Sequence, residues 1–219
     1  TKIVFSGVGK TQEEMVQALK AGVLQINVES LSELEMLSEV ASSLSINANV
    51  AIRVNPDVDA HTHEKITTGK SENKFGIGWA EAPEAYALAS KLPRINAKGV
   101  AVHIGSQILD LNPFRKAFGL VVDLVKSLRS EGHAFEILDL GGGLGIPYGD
   151  EKPPSPKEYG EMVKSVIRDF ECRVFFEPGR LISGNAGLIV TKVIRIKQGL
   201  SRSFIIVDAA MNDLLRPAL

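Results

Sequence analysis

Three segments of the sequence carry groups that could do chemistry, and each follows an apolar run typical of a buried strand. In chain order the candidates are His103 in "VAVHIGSQ", the glycines Gly141, Gly142 and Gly143 in "ILDLGGGLGIPYG", and Glu177 with Arg180 in "FFEPGR". The carboxyl ends of parallel strands share one edge of a sheet or barrel, where ligands and catalytic side chains of α/β proteins lie. The three segments together therefore predict one shared pocket.

The glycine triplet has two interpretations that this motif alone does not separate. Glycine at a strand end lets backbone N–H groups approach an anion closely, so the triplet could hold a phosphate. A tight turn without any ligand explains it equally well, because the dinucleotide pattern G-x-G-x-x-G is absent and Leu144 to Pro147 reads "LGIP".

The charged and imidazole groups also have a purely structural alternative. Glu177 and Arg180 could form a local ion pair around a Pro-Gly turn, and His103 could be a hydrogen-bonded core residue. A carboxylate directly after "VFF" is instead typical of a side chain at the mouth of a barrel, where catalytic groups lie. The recurrence of such groups at three strand ends favours a functional site.

The elements that must position these groups alternate between short β-prone runs and longer amphipathic runs, which indicates βα units. Strands are predicted at 3–6, 25–28, 50–54, 99–104, 135–140 and 174–176, and helices are predicted to begin at Thr11, at Ser30 or Ser32, at Glu81, at Pro113 and at Ser155. Six such units fit either a doubly wound sheet or part of an eight-stranded barrel, for which about 250 residues are usual. The segment 55–79 is a long polar loop, which we interpret as a binding loop.

The alternation of predicted strands and helices ends after Gly187. Leu188 to Lys197 and Phe204 to Asp208 are β-rich runs joined by "QGLSRS", a pattern that predicts antiparallel pairing without a helix between. We therefore divide the chain into a partial barrel, residues 1–187, and the start of a β-domain, residues 188–219.

Composition restricts the class of protein. The chain has 219 residues, 44% of them hydrophobic, and its 25 basic and 26 acidic side chains give a net charge of −1, which disfavours a nucleic-acid partner. Cys172 is the single cysteine, so an intrachain disulfide and a cysteine-based metal cluster are excluded, and a reducing, cytoplasmic location is expected. No apolar stretch approaches the roughly 20 residues that span a bilayer, so no membrane partner is expected.

Five motifs in order resemble a known family. They are "NPDVDAHTHEKITTGKSENKFGI" at 55–77, "HIGSQI" at 103–108, "DLGGGLGIPY" at 139–148, "EPGR" at 177–180 and "DAAMNDLLRPAL" at 208–219. Together they resemble the alanine-racemase-like, fold type III pyridoxal-phosphate decarboxylases. The first two are similar to the diaminopimelate decarboxylase branch rather than to the ornithine and arginine enzymes. The resemblance implies an α/β fold, an incomplete (β/α)8 TIM-type barrel followed by a β-domain.

The resemblance also implies a reaction and roles for the candidate residues. The activity would be decarboxylation of meso-2,6-diaminopimelate to L-lysine and CO2 with pyridoxal 5'-phosphate, in a homodimer. Glu177 would pair with the cofactor's ring nitrogen, and His103 would stack on the ring. The phosphate-binding set would comprise Ser106, Gly141, Gly142, Gly143 and the backbone of Gly179 and Arg180, and Pro178 would be a further cofactor-binding residue. Arg180 and Arg216 would grip substrate carboxylates, and Ser71, Asn73 and Lys74 would lie in a flap near the substrate.

The family's cofactor-bearing lysine and its C-terminal catalytic residues have no counterpart in the sequence. Cys172 is a poor match for the family's catalytic cysteine and is interpreted as a buried small residue. We therefore expect an internal piece of a longer enzyme, inactive by itself. Two alternatives stay open: a decarboxylase of a related diamino acid or carboxylated polyamine, and a non-catalytic cofactor-binding homologue.

Overall fold

A computed structural model describes residues 1–58, 74–168 and 170–214 of the chain. The strands are β1 Val4–Phe5, β2 Gln25–Val28, β3 Ala48–Asn55, β4 Ile77–Gly78, β5 Ile95–Ala101, β6 Ile137–Asp139, β7 Arg173–Phe175, β8 Val193–Gln198 and β9 Ser203–Val207. The helices are α1 Gln12–Lys20, α2 Leu31–Leu44, α3 Ala82–Ala89, α4 Leu111–Ser130, α5 Pro156–Val166 and α6 Arg180–Ser183. Two compact units divide between Ile182 and Ser183, five residues before the predicted boundary.

The first unit is a curved, all-parallel sheet whose strands follow chain order. Its row is β1-β2-β3-β5-β6-β7, and β4 pairs with the last two residues of β3. A doubly wound sheet reverses its strand order, so this succession is that of an incomplete α/β barrel, as predicted. Ser6 and Glu177, which follow the first and last strands of the row, lie within hydrogen-bond distance, which shows how far the arc curves.

Local sequence signals set the helix starts. Thr11 caps α1 and Ser155 caps α5, each with a glutamate three residues on that returns a hydrogen bond to the cap backbone. Ser30 caps α2 by accepting a hydrogen bond from Glu33 N–H at 3.2 Å. These caps confirm the predicted starts at Thr11, Ser30 and Ser155.

The core lies between the sheet and its helices. Leu34 and Leu37 of α2 and Phe114 and Phe118 of α4 are buried there, at the helical spacing that the sequence predicts. Along β2 the pattern alternates: the apolar Ile26 and Val28 join this core. Gln25 and Asn27 are equally buried and point to the other face, the interior of the arc.

The boundaries that differ from the sequence prediction include those of β5, α5 and the predicted loop 55–79. β5 runs from Ile95 to Ala101 instead of 99–104, because its polar first half pairs with β3 through contacts such as Asn96 Nδ2 to Asn49 Oδ1 at 3.1 Å. α5 ends at Val166 instead of near Phe170, whose ring lies 4.2 Å from the Arg129 guanidinium. The predicted loop 55–79 contains β4.

The second unit, Ser183–Leu219, contains an antiparallel hairpin. β8 and β9 pair from Gln198↔Ser203 to Val193↔Val207, as the sequence predicts. The Asp208 carboxylate accepts hydrogen bonds from the Thr191 hydroxyl at 2.7 Å and from Lys192 N–H at 2.8 Å. Within the residues that the structure describes, no helix combines the length and apolar character needed to cross a membrane.

Candidate active site

The three predicted strand ends meet within hydrogen-bond distance. Gly142 N–H donates to His103 Nδ1 at 3.2 Å, and Glu177 N–H donates to the Gly141 carbonyl at 2.8 Å. The chain segments after β5, β6 and β7 are thereby joined, with the glycine triplet in the middle. His103, Gly142 and Glu177 therefore belong to one site.

The triplet must be glycine because other backbone segments approach it closely. A methyl group on Gly141 would lie 2.3 Å from the Val102 carbonyl oxygen, and one on Gly142 would lie 2.2 Å from the Glu177 carbonyl oxygen. Gly141 and Gly143 also adopt φ of 62° and 110°, which L side chains rarely tolerate. The triplet is therefore a tight turn whose glycines are required by the close backbone contacts.

A cavity of about 270 Å³ borders the triplet. Its lining includes all three glycines, Pro178 and Gly179, with the apolar side chains of Leu144, Tyr159, Phe176 and Leu181 among the rest. Gly143 N–H has no acceptor among the residues described, whereas Gly141 N–H donates to Asp139 Oδ1 at 3.1 Å. A glycine-lined cavity with an unused N–H fits an anion such as a phosphate.

His103 is a neutral imidazole at neutral pH. Burial, and then the positive charge of Arg53, lower its pKa to about 4. Its Nδ1 accepts the Gly142 N–H, which requires a lone pair on that nitrogen. His103 thus offers a flat, uncharged ring beside the glycine turn.

Glu177 holds its proton far more tightly than an ordinary glutamate. Partial burial, and then the negative charge of Asp139, raise its pKa to about 7. The Ser6 hydroxyl opposes this rise by donating to Glu177 Oε1 at 3.0 Å. At neutral pH this carboxyl can therefore either give or take a proton.

Asn27 links these acids and was missed by the sequence analysis. Its Nδ2 donates to Asp139 Oδ2 at 2.9 Å and to the Ser6 hydroxyl at 3.0 Å, and lies 3.4 Å from Glu177 Oε1. Gln25 Nε2 donates in turn to Asn27 Oδ1 at 2.7 Å. The alternation of polar and apolar residues in "QINV" was the available signal, since alternate residues of a strand share a face.

Arg180 is placed by a neutral partner. Its NH1 donates to Gln107 Oε1 at 3.2 Å, and its guanidinium lies 5.8 Å from the Tyr148 ring centroid. Within the described ranges, no carboxylate lies at ion-pair distance from Arg180, so the structural alternative of a Glu177–Arg180 ion pair is ruled out. Arg180 is also absent from the lining of the glycine cavity, although Gly179 and Leu181 both contribute to it.

Arg53, also missed by the sequence analysis, is paired with an acid. Its NH1 donates to Glu29 Oε1 at 2.9 Å, and its guanidinium lies 5.1 Å from the Phe75 ring centroid. The second oxygen of Glu29 accepts Gly76 N–H at 3.0 Å. The Glu29 side chain is 1% exposed and the Arg53 side chain 13% exposed, so the carboxylate of this pair is deeply buried.

The remaining predicted residues have varied outcomes. Ser106 is half-buried in the segment after β5, and its hydroxyl bonds no other described residue. Lys74 lies over the Phe75 ring at 4.9 Å. Burial raises the pKa of the Cys172 thiol, opposite to what activates a catalytic cysteine. Ser71, Asn73 and Arg216 lie outside the described residues.

Comparisons with known proteins agree on one family. Residues 1–184 match the family described as pyridoxal-dependent decarboxylase, pyridoxal binding domain. The chain is 54% identical to a diaminopimelate decarboxylase of Zymomonas mobilis and 47% identical to one of Aquifex aeolicus, over all of this chain and 52% of each relative. It thus spans about half the length of these relatives.

Solved structures give the same answer. The chain is similar to the crystal structure of diaminopimelate decarboxylase from Helicobacter pylori complexed with L-lysine, with a TM-score of 0.95 and 42% identity. The match covers 99% of this chain and 54% of that one. A Paramecium bursaria Chlorella virus arginine decarboxylase, at 23% identity and a TM-score of 0.76, shares the fold. The chain belongs to the pyridoxal-dependent decarboxylases, and its residues 1–184 match their pyridoxal binding domain.

Proposed function

We propose that the protein containing this chain converts meso-2,6-diaminopimelate to L-lysine and CO2 with pyridoxal 5'-phosphate, as a carboxy-lyase. The observation that carries the proposal is the meeting of His103, the glycine triplet and Glu177 at one edge of the arc. The names of the relatives, at 47–54% identity, support the choice of substrate. A lysine-bound relative of the same fold supports it further.

The residues present fit the cofactor's three chemical parts. The Gly143 N–H beside the cavity would serve the phosphate, Ser106 and Gly179 complete that set in our assignment, and Pro178 would bind the cofactor as part of the cavity lining. His103 would stack, uncharged, on the ring. Glu177 would pair with the ring nitrogen. When bound, pyridoxal phosphate supplies an electron sink for the carbanion that loss of CO2 leaves.

Glu177 does its work by holding a proton at that nitrogen. Because its pKa is raised to about 7, the Glu177 carboxyl would be basic enough to hold a proton against the ring nitrogen of a bound cofactor. Ser6 and Asn27 fix the carboxyl by hydrogen bonds to Oε1. The negative charge of Asp139 raises the pKa of Glu177 and so favours a proton or another positive charge at this site.

Substrate carboxylates would be bound by arginine. Arg180 has donors beyond NH1 and no carboxylate partner among the described residues, so its charge is available to an oxyanion. A second carboxylate of diaminopimelate would need a second cation. We keep Arg216 as the proposed one.

The test is an assay of the gene product that contains this chain. Pyridoxal phosphate should give a bound-cofactor absorbance band, and meso-diaminopimelate should release CO2 and yield lysine. Ornithine, arginine and a carboxylated polyamine serve as alternative substrates. Faster turnover of one of these would overturn the substrate, and a cofactor band without turnover of any would favour the non-catalytic homologue.

We also propose a cytoplasmic homodimer. The single cysteine fits a reducing compartment, and the dimer follows the family resemblance. Light scattering of the gene product should give twice the monomer mass. A monomeric mass in an active preparation would contradict the dimer.

A further inference from the structure

Gln107 holds the amide of its side chain in one orientation. Its Nε2 donates to the Ile146 carbonyl at 2.5 Å, and its Oε1 accepts Ile146 N–H at 3.2 Å. Exchange of the amide nitrogen and oxygen would break both bonds, so the oxygen end is fixed. The backbone of Gln107 adopts φ 57°, a conformation that non-glycine residues rarely keep without a surrounding reason.

The fixed oxygen meets Arg180. Oε1 accepts from Arg180 NH1 at 3.2 Å, and this bond crosses 73 positions of the chain. The amide directs the guanidinium without neutralising it, whereas a carboxylate in its place would compete with any incoming anion. Arg180 therefore keeps its charge and its other donors.

We propose that Gln107 is a positioning residue that aims Arg180 at a carboxylate of the substrate. The inference rests on the proposed function for the identity of that substrate. Because Arg180 does not line the glycine cavity, its ligand is assigned as the amino acid's carboxylate, and the cofactor's phosphate is assigned to the glycines. The Tyr148 ring, 5.8 Å from the guanidinium, supports the same orientation.

The test compares two ligands that differ only in a carboxylate. L-Lysine and 1,5-diaminopentane are titrated by calorimetry into the cofactor-loaded gene product, as wild type and as Gln107→Met. Loss of one hydrogen bond to a charged group should weaken lysine about tenfold and leave the diamine within about twofold. Gln17→Met, at an exposed position of α1, is the control and should change neither affinity.

A double-mutant cycle shows whether Gln107 acts through Arg180. In an Arg180→Lys background, Gln107→Met should have little further effect on lysine affinity. The proposal would be overturned if Gln107→Met weakened lysine affinity equally in the Arg180→Lys background, or if it weakened lysine and diamine affinity equally. Gln107 would then only stabilise its loop through the bonds to Ile146. Weakened pyridoxal phosphate binding with unchanged lysine affinity would overturn the assignment to the substrate carboxylate.

Failure of the proposed function has a different signature. If the wild-type protein binds neither lysine nor diaminopimelate, the proposed substrate is wrong. The coupling between Gln107 and Arg180 is then measured from the melting temperatures of Gln107→Met, Arg180→Met and the double variant, all without ligand. Non-additive shifts support the Gln107–Arg180 contact, and additive shifts overturn it.

Discussion

The β2–β3 side of the site and the β5–β7 side each hold an arginine. The first arginine is paired with a carboxylate and the second with a neutral amide. Arg53 is tied to the buried carboxylate of Glu29, which also accepts Gly76 N–H. Arg180 meets only the neutral amide of Gln107 among the hydrogen-bond partners that the structure describes. A compensated charge supports the fold, whereas an uncompensated one is available to a ligand anion.

The compensated side still acts on the chemistry at a distance. Arg53 lowers the pKa of both His103 and Glu177, although for each of them burial is the larger influence. The β2–β3 side thus sets the electrostatic background, and the β5–β7 side presents groups for direct contact. Substitutions on the first side should mainly change stability, and those on the second should mainly change binding.

The largest expected effect on stability is from Glu29→Gln. The change leaves Arg53 without its counter-charge, and removal of one partner from a buried ion pair costs about 3 kcal/mol. Urea unfolding measures the loss. Glu35→Gln, on the exposed face of α2, is the control and should stay within about 0.5 kcal/mol of wild type. An equally small change for Glu29→Gln would show that Arg53 needs no counter-ion.

Gly142→Ala should destabilise the chain by about 1–3 kcal/mol, because the new methyl group would press on the Glu177 backbone. It should also abolish the pyridoxal phosphate absorbance band. Gly119→Ala, in α4 with no neighbouring atom near the added methyl, should instead stabilise by about 0.5 kcal/mol. An unaffected absorbance band in Gly142→Ala would remove the triplet from the cofactor site.

The pH dependence of stability should separate His103 from Glu177. Because the pKa of His103 is lowered from 6.5 to about 4, its contribution to the free energy of unfolding rises as the pH rises across that window. Because the pKa of Glu177 is raised from 4.5 to about 7, its contribution to the free energy of unfolding falls as the pH rises over nearly the same range. The two oppose each other in the wild-type protein.

Replacement of either residue should therefore leave the pH dependence that the other one contributes. Without cofactor, Glu177→Gln should show a melting temperature that rises from pH 4.5 to 6.5, and His103→Gln one that falls. Shifts of about 2–4 °C are expected if each contribution is about 1 kcal/mol. Thermal unfolding at several pH values measures both slopes, and parallel profiles of the two variants would contradict the opposed shifts.

The smallest effect on stability is expected from Arg180→Met, within about 1 kcal/mol, because no buried counter-charge is left behind. The same variant should weaken lysine binding at least tenfold. Urea unfolding and calorimetry measure the two quantities. A stability loss as large as that of Glu29→Gln would erase the distinction between the two sides.

Much of the fold followed from local patterns. The caps at Thr11 and Ser155, the apolar spacing of α2 and α4, and the hairpin β8–β9 were all predicted, because each depends on residues close together in the chain. β4 was missed because its two residues gain their strand character only by pairing with β3. The polar first half of β5 was missed for the same reason.

For the candidate site, the sequence indicated which residues converge but not how they are bonded. His103, the triplet and Glu177 were recognised from strand-end positions and motif resemblance. Their supports, Asn27 and Gln107, were not, since an amide's role depends on the partner it meets. The alternative of a Glu177–Arg180 ion pair was ruled out only by the structure, because folding gave each side chain a different partner.

The sequence by itself determined the helix starts at Thr11, Ser30 and Ser155, the alternation of strands and helices, and the need for bare backbone at 141–143. Tertiary structure alone decided that Asn27 would bond an acid 112 positions away and that Ser6 would bond one 171 positions away. The physical reason is range: caps and periodicity act over a few residues, whereas hydrogen bonds between distant strands exist only once the arc has curved. Whether the charge of Arg53 or Arg180 is compensated by a carboxylate belongs to that second kind of information.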